Sequence, residues 1–193
     1  MQSFCIIPAR GGSKRIPRKN IREFCGQPII AWSIKTALES FLFDKVIVST
    51  DDEEIAKISS EYGADIPFIR PKELSDDMTG TIPVVNHAIK WINNNVAKVN
   101  YACCIYATAP FIEKKYLRFG YEELIKSNSE YTFSATSFPF PIQRAIRITN
   151  KKRAQMINPE YFYSRSQDLE ETFHDAGQFY WGKSNAFLSN KPF

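Results

Sequence analysis

The sequence predicts an α/β fold with a mainly parallel sheet, and three observations carry that prediction. Over the first 130 residues, short apolar runs alternate with segments of helical period. The first run, Ser3–Pro8 (SFCIIP), is apolar at consecutive positions, as a strand covered on both faces must be. Glycine- and proline-containing turns separate the runs, at Gly11-Gly12, Gly26-Gln27-Pro28 and Gly63. In such a sheet, ligands sit beyond the carboxyl ends of the strands.

Each element follows from its residues. After the turn at Gly26, Pro28 suits a first helical turn, and Ile30, Ile34, Ala37, Leu38 and Phe41 give a helical stripe. Lys45–Ser49 (KVIVS) is a second strand. Thr50-Asp51-Asp52 can cap the helix that follows, Glu53 and Glu54 suit its positive end, and Gly63 stops it. Asp65–Ile69 reads as a short strand. Thr81 reads as the cap of a helix running to about Asn94, with Pro83 tolerated in its first turn. Tyr101–Tyr106 is a strand, Ala107–Pro110 a turn, Lys114–Lys126 a helix and Tyr131–Ser137 a strand. The rhythm then changes. FPFPIQR at Phe138–Arg144 is extended, Ala145–Ile148 and Arg153–Ile157 pair as a hairpin, Tyr161–Asp175 is polar and irregular, and Gln178–Trp181 returns to strand character.

With 193 residues and a 44% hydrophobic fraction, one domain with a real core is expected over residues 1–193, carrying 138–175 as an insertion. No apolar run reaches the roughly 18 residues of a membrane helix, and MQSFCIIPARGG reads as a first strand rather than a signal peptide. Cys5, Cys25, Cys103 and Cys104 form no CxxC pair, so buried thiols in a reducing cytoplasm are expected.

The net charge is +4, but six of the basic residues fall between Arg10 and Arg22 with no acid among them. The remainder of the chain carries 19 basic and 21 acidic residues. A general basic coat for nucleic acid or a membrane surface is therefore excluded, and one local anion site is indicated. The segment Pro8–Asn20 (PARGGSKRIPRKN) follows the first strand directly. Paired glycines let a backbone approach phosphate oxygens closely, Arg10 offers a planar fork, Lys19 a point charge, and Asn20 a donor and an acceptor. It is neither GxxxxGK[ST] nor GxGxxG. The alternative is a solvated basic loop whose glycines serve only the turn.

IPARGGSKRIPRKN resembles the signature of the CMP-sugar synthetases, which transfer CMP from CTP to the anomeric hydroxyl of an acidic sugar. VIVSTDDEEIA, RPKELSDD with Thr79-Gly80-Thr81, and IYATAP resemble the same family in the same order. FPFPIQRA and SRSQDLEETFHDAGQFYWG most resemble its pseudaminic acid cytidylyltransferase branch. The resemblance implies a three-layer, Rossmann-like nucleotidyltransferase fold and the substrates CTP and an acidic nine-carbon sugar. It also implies Mg²⁺ as cofactor and a homodimer formed through residues 138–175. The same transfer to sialic or legionaminic acid, or a shortened CTP-binding form with little activity, are the alternatives.

By that resemblance, Ala9, Arg10, Gly11, Gly12 and Ser13 form the nucleotide loop, and Arg10 and Lys19 act on the phosphates. Asn20 lies near the nucleoside. Arg70, Thr79, Gly80 and Thr81 hold cytosine and ribose; without the resemblance, Arg70 reads as a surface partner of Glu73 or Asp76. Tyr106, Thr108, Gln143, Arg144, Arg165, Gln167, Asp168, Gln178 and Tyr180 form the sugar side, where Arg165 or Arg144 suits a carboxylate. His174 stands where sialic acid synthetases typically carry Arg, and Tyr106 where they carry Gln. His87 reads as a core or surface residue. The family usually has an Asp-x-Asp metal motif near its C-terminus, and none follows Asp175 here, so no metal ligand is assigned. Asp51-Asp52 and Asp76-Asp77 are explained as helix caps.

Overall fold

β1 (Ser3–Pro8) is buried from Ser3 to Ile7, because it lies between two parallel neighbours with helices above and below. In this computed structural model, which describes residues 2–193, the chain continues through a small hairpin, β2 (Glu23–Phe24) and β3 (Gln27–Pro28). Next come α1 (Ile29–Ser40), β4 (Lys45–Ser49), α2 (Glu53–Glu61), α3 (Thr81–Asn95) and β5 (Tyr101–Ile105). These are followed by α4 (Lys114–Ser127), β6 (Tyr131–Ser137), the hairpin β7 (Ile146–Ile148) and β8 (Ala154–Met156), β9 (Phe173–Lys183) and α5 (Ser184–Leu188).

Five strands share one sheet in the order β4-β1-β5-β9-β6. β1 is parallel to β4 and β5, whereas β9 runs antiparallel to β5 with Cys104 opposite Tyr180. Alternate residues of each strand feed two cores. Cys5, Ile7, Val46, Val48, Cys103, Ile105 and Trp181 meet Ile30 and Ile34 of α1, Ile55 of α2, and Leu117 and Leu124 of α4. Phe4, Ile6, Ile47, Ala102, Cys104 and Tyr180 meet Val85, Ala88, Ile89 and Ile92 of α3 and Phe187 of α5. This is a three-layer α/β arrangement. Cys5, Cys103 and Cys104 are buried thiols, with the last two on opposite faces, and Cys25 is exposed. No helix among the described residues is long and apolar enough to cross a membrane.

The chain forms two compact units, Met1–Ser134 with Gly177–Phe193, and Ala135–Ala176. In the second, Thr149 closes the β7–β8 hairpin by donating its N–H to the Arg153 carbonyl at 2.9 Å. A single-turn helix at Pro159–Tyr161 leads into the stretch read as irregular, which itself contains one at Ser166–Asp168.

Three local expectations change. Asp65–Ile69 makes only isolated bridges, Asp65 to Ile47 and Ile69 to Thr50, because Pro67 has no N–H to extend a ladder. Thr81 is the first helical residue of α3, and Gly80 precedes it as the cap without a side-chain bond. Pro28 likewise sits just before α1 rather than within its first turn.

Candidate functional site

The carboxyl ends of β1 and β5 and the start of α3 enclose a cleft of about 260 Å³. It is lined by Arg10, Ser13, Lys19 and Asn20 from the loop after β1, and by Arg70, Thr79, Gly80 and Thr81 ahead of and on α3. Tyr106 and Thr108 complete it from the end of β5. The position follows from the topology: parallel strands end together, and the chain must leave them in loops.

The loop is shaped by the turn after β4. The Ala9 N–H donates to the Ser49 carbonyl at 2.9 Å, which extends the sheet ladder by one residue. The Gly11 N–H donates to Asp51 Oδ1 at 3.0 Å. A Cβ on Gly11 would run into the Asp52 side chain. Gly11 is thus required for its packing on the aspartate pair, and its N–H is spent there rather than offered to a ligand. Gly12 is exposed with open space around it. The Asn20 side chain is buried at the cleft and donates to the Arg10 carbonyl at 2.9 Å, which fixes the loop.

Asp52 caps α2 by accepting the Ile55 N–H at 2.9 Å, and it also takes a two-pronged bond from Arg18. Arg18 holds the Asp52 carboxyl below the ordinary carboxylate range. Asp51 caps nothing. It faces Arg70 Nη2 at 3.5 Å. Arg70 is only 4% exposed; its Nε donates to Ser75 Oγ at 3.1 Å, and its Nη2 is buried without a hydrogen bond. Burial pushes the Arg70 pKa down, with the Asp51 charge opposing that shift. Neither Glu73 nor Asp76, the surface partners considered from sequence, pairs with it.

Asp76 and Asp77 are not helix caps either. Asp76 closes its own turn by accepting the N–H groups of Met78 and Thr79 and the Thr79 hydroxyl. Asp77 pairs with Arg10 at 2.7 Å and with Lys14, while Arg10 also donates to the Asp76 carbonyl at 2.7 Å. Lys19 carries no ion pair among the described residues and stands at the cleft wall as an uncommitted cation. Thr81 Oγ1 and the Tyr106 hydroxyl lie 3.0 Å apart across the cleft. The missed contributors are Asp51, Asp76 and Asp77. The only signal for Asp51 was its place at the carboxyl end of a strand.

The remaining residues divide between the units. Gln178 accepts the Tyr106 N–H at 2.9 Å through its carbonyl. Tyr180 is almost wholly buried, its ring packed on Tyr106, Phe133 and Phe193, so it is a core residue rather than a ring open to a sugar methyl group. His87 packs edge-on against Phe68 at 4.8 Å and does not line the cleft. In the second unit, Arg165 pairs with Asp168 at 2.8 Å, Gln143 Nε2 donates to the Glu170 carbonyl at 3.1 Å, and Arg144 reaches Ser166 Oγ at 3.4 Å. Gln167 is exposed, and His174 packs on Phe138 at 4.8 Å.

No group of three His, Cys, Asp or Glu side chains suited to a metal occurs among the described residues. The four carboxylates nearest the cleft are each engaged by a cation or by backbone N–H groups. They do not fit a resident Mg²⁺ held by protein ligands.

A family model described as cytidylyltransferase matches residues 4–186. The chain is 48% identical over 188 residues to a pseudaminic acid cytidylyltransferase of Campylobacter jejuni, covering 97% of this chain and 81% of that one. It is 29% identical to a CMP-N,N'-diacetyllegionaminic acid synthase of Legionella pneumophila, covering 100% of this chain and 83% of that one. The fold is similar to that of a CMP:2-keto-3-deoxy-manno-octonic acid synthetase in complex with CTP, with a TM-score of 0.73 at 16% identity. That superposition covers 100% of this chain and 79% of the other.

Proposed function

The chain belongs to the cytidylyltransferase family, and on that premise we propose that it transfers CMP from CTP to the anomeric hydroxyl of pseudaminic acid, giving CMP-pseudaminic acid and pyrophosphate. The observation that carries this reading is the cleft in which Arg10, Lys19 and Arg70 converge beside Thr81 and Tyr106. The 48% identity to the Campylobacter jejuni enzyme supports the choice of sugar.

The sugar hydroxyl attacks the α-phosphorus in line. A carbon–oxygen–phosphorus linkage forms, the α–β bridging bond breaks, and pyrophosphate leaves with the electron pair while the hydroxyl proton passes to solvent. The transition state gathers charge on phosphate oxygens, so positioning and cationic stabilisation are the main demands. Lys19 and Arg10 meet them, with the loop Ala9–Ser13 setting their height. Arg70 has an unbonded Nη2 for the acceptor edge of cytosine, and Thr79, Gly80 and Thr81 flank the ribose. Mg²⁺ enters with the triphosphate as part of the substrate. The proposal extends to a cytoplasmic homodimer, with Gln143, Arg144, Arg165 and Gln167 of the second unit serving the sugar carboxylate and its substituents.

The test is pyrophosphate release with CTP, Mg²⁺ and a panel of nonulosonic acids. Pseudaminic acid is expected to give the highest kcat/KM. A preference for sialic or legionaminic acid reassigns the sugar, and CTP-dependent thermal stabilisation without turnover on any sugar leaves a binding module. Lys19→Ala should lower kcat about 100-fold, the scale of losing one preorganised charge partner, with an unchanged melting temperature. An unaltered kcat removes Lys19 from the phosphate site.

A further inference from the structure

We propose that Asp51 is a positioning residue that sets the phosphate loop and the base-side arginine from a single carboxylate, so that the two halves of the nucleotide site are held in register. The inference rests on the cleft being the CTP site. One oxygen, Asp51 Oδ1, accepts the Gly11 N–H at 3.0 Å and stands 3.5 Å from Arg70 Nη2. Its two partners lie in sequence 40 residues before it and 19 after it, and both belong to the cleft's own segments.

The geometry around Asp51 leaves it few other duties. Asp52 already caps α2 and binds Arg18, so Asp51 is not needed to start the helix. The Arg70 guanidinium is anchored on one side by Ser75 and on the backbone by its N–H donating to the Thr50 carbonyl at 2.7 Å. That leaves Nη2 facing the Asp51 charge with its hydrogens unbonded. A buried guanidinium without a countercharge is costly, so Asp51 offsets its charge and holds it in place while Nη2 makes no close hydrogen bond. On the other side, the Gly11 bond sets where Arg10 leaves β1. The carboxylate thus does two separable jobs. Accepting the Gly11 N–H needs only an acceptor oxygen, whereas neutralising Arg70 needs the charge.

Asp51→Asn and Asp51→Ala separate them. Binding is read by calorimetry with pyrophosphate as a phosphate-only probe, cytidine as a base-only probe, and CTP. Asp51→Asn keeps the acceptor and should hold pyrophosphate affinity within about twofold while weakening cytidine about tenfold. Asp51→Ala should weaken both probes, and in the transfer reaction it should raise KM for CTP more than it lowers kcat. Parallel losses of both probes in Asp51→Asn, or no change in either variant, overturn the proposal. If Asp51→Ala does not fold, the isosteric Asn variant decides alone by the same split. A wild-type protein that binds neither CTP nor pyrophosphate overturns the site itself, a result separate from any behaviour of the variants.

Discussion

Gly11 illustrates how a residue chosen for one reason is kept for another. Paired glycines after a first strand suggest a backbone bared for phosphate, yet Gly11 turns its N–H to Asp51 and its missing side chain toward Asp52. An added Cβ would lie 3.0 Å from the Asp52 Cβ, and Asp52 is held by Arg18 and by the Ile55 N–H, so it has no room to swing. Gly11→Ala should therefore cost about 1–3 kcal/mol, roughly 3–10 °C in melting temperature. It should also weaken CTP binding, because the loop must shift; a variant as stable as the parent contradicts this packing. Asp77 offers the opposite case. It places a carboxylate against Arg10 and Lys14, two cations of the loop that would otherwise face an incoming phosphate. Removing that internal competitor in Asp77→Asn should tighten pyrophosphate binding about two- to fivefold at low salt, with the gain shrinking as salt screens the charges. Weaker binding in that variant would mean that Asp77 supports the loop rather than competing with the ligand.

At the level of elements, what could be read in advance was whatever a short window determines. The apolar run of β1, the stripe Ile30, Ile34 and Ala37 of α1 and the cap at Asp52 are local signals, and each stands where its residues indicate. Phe41, read as part of that stripe, instead ends the helix in a left-handed turn and is exposed, and Leu38 is partly exposed. What escaped depends on distant partners. β9 was visible only as Gln178–Trp181, because its length and direction come from pairing with β5, over 70 residues earlier in the chain. Tyr180 looked like a ring for a ligand because nothing nearby in sequence shows Phe133 and Phe193 closing over it. Asp51 was hidden by its neighbour, since an aspartate pair ahead of a helix is fully explained by capping until the structure shows that only Asp52 caps. Gly182 tests the long-range part. A Cβ there would come within 2.5 Å of the Tyr131 ring and 2.7 Å of Phe187, two side chains packed against each other at 5.0 Å. Gly182→Ala should lose about 1–3 kcal/mol in denaturant unfolding, with CTP affinity unchanged in the folded fraction. No loss of stability would mean that this end of the sheet is looser than it looks.

For the whole molecule, the cleft and the most exposed apolar cluster fall in different units. Every residue lining the cleft comes from the first unit, while the second exposes a set of apolar side chains that a solvated insertion would not keep. Ile148 is 68% exposed and Tyr163 is 93% exposed, and Ile146, Ile157 and Phe162 are likewise open. Exposed apolar patches are a common feature of interaction surfaces, and aromatics with aliphatics are what the centre of an interface contains. The homodimer proposed above would bury them. Light scattering should then give about twice the 22.2 kDa chain mass. Ile148→Asp combined with Tyr163→Asp should return the monomer mass, since each charge would be stranded in an apolar contact. The same variant separates assembly from nucleotide binding. CTP-dependent thermal stabilisation should survive in the monomer, because the cleft residues are untouched, while transfer to the sugar should fall if the acceptor site needs the second unit held in place. A variant that stays dimeric puts the interface elsewhere, and a wild-type chain that is monomeric at micromolar concentration removes the dimer from the proposal.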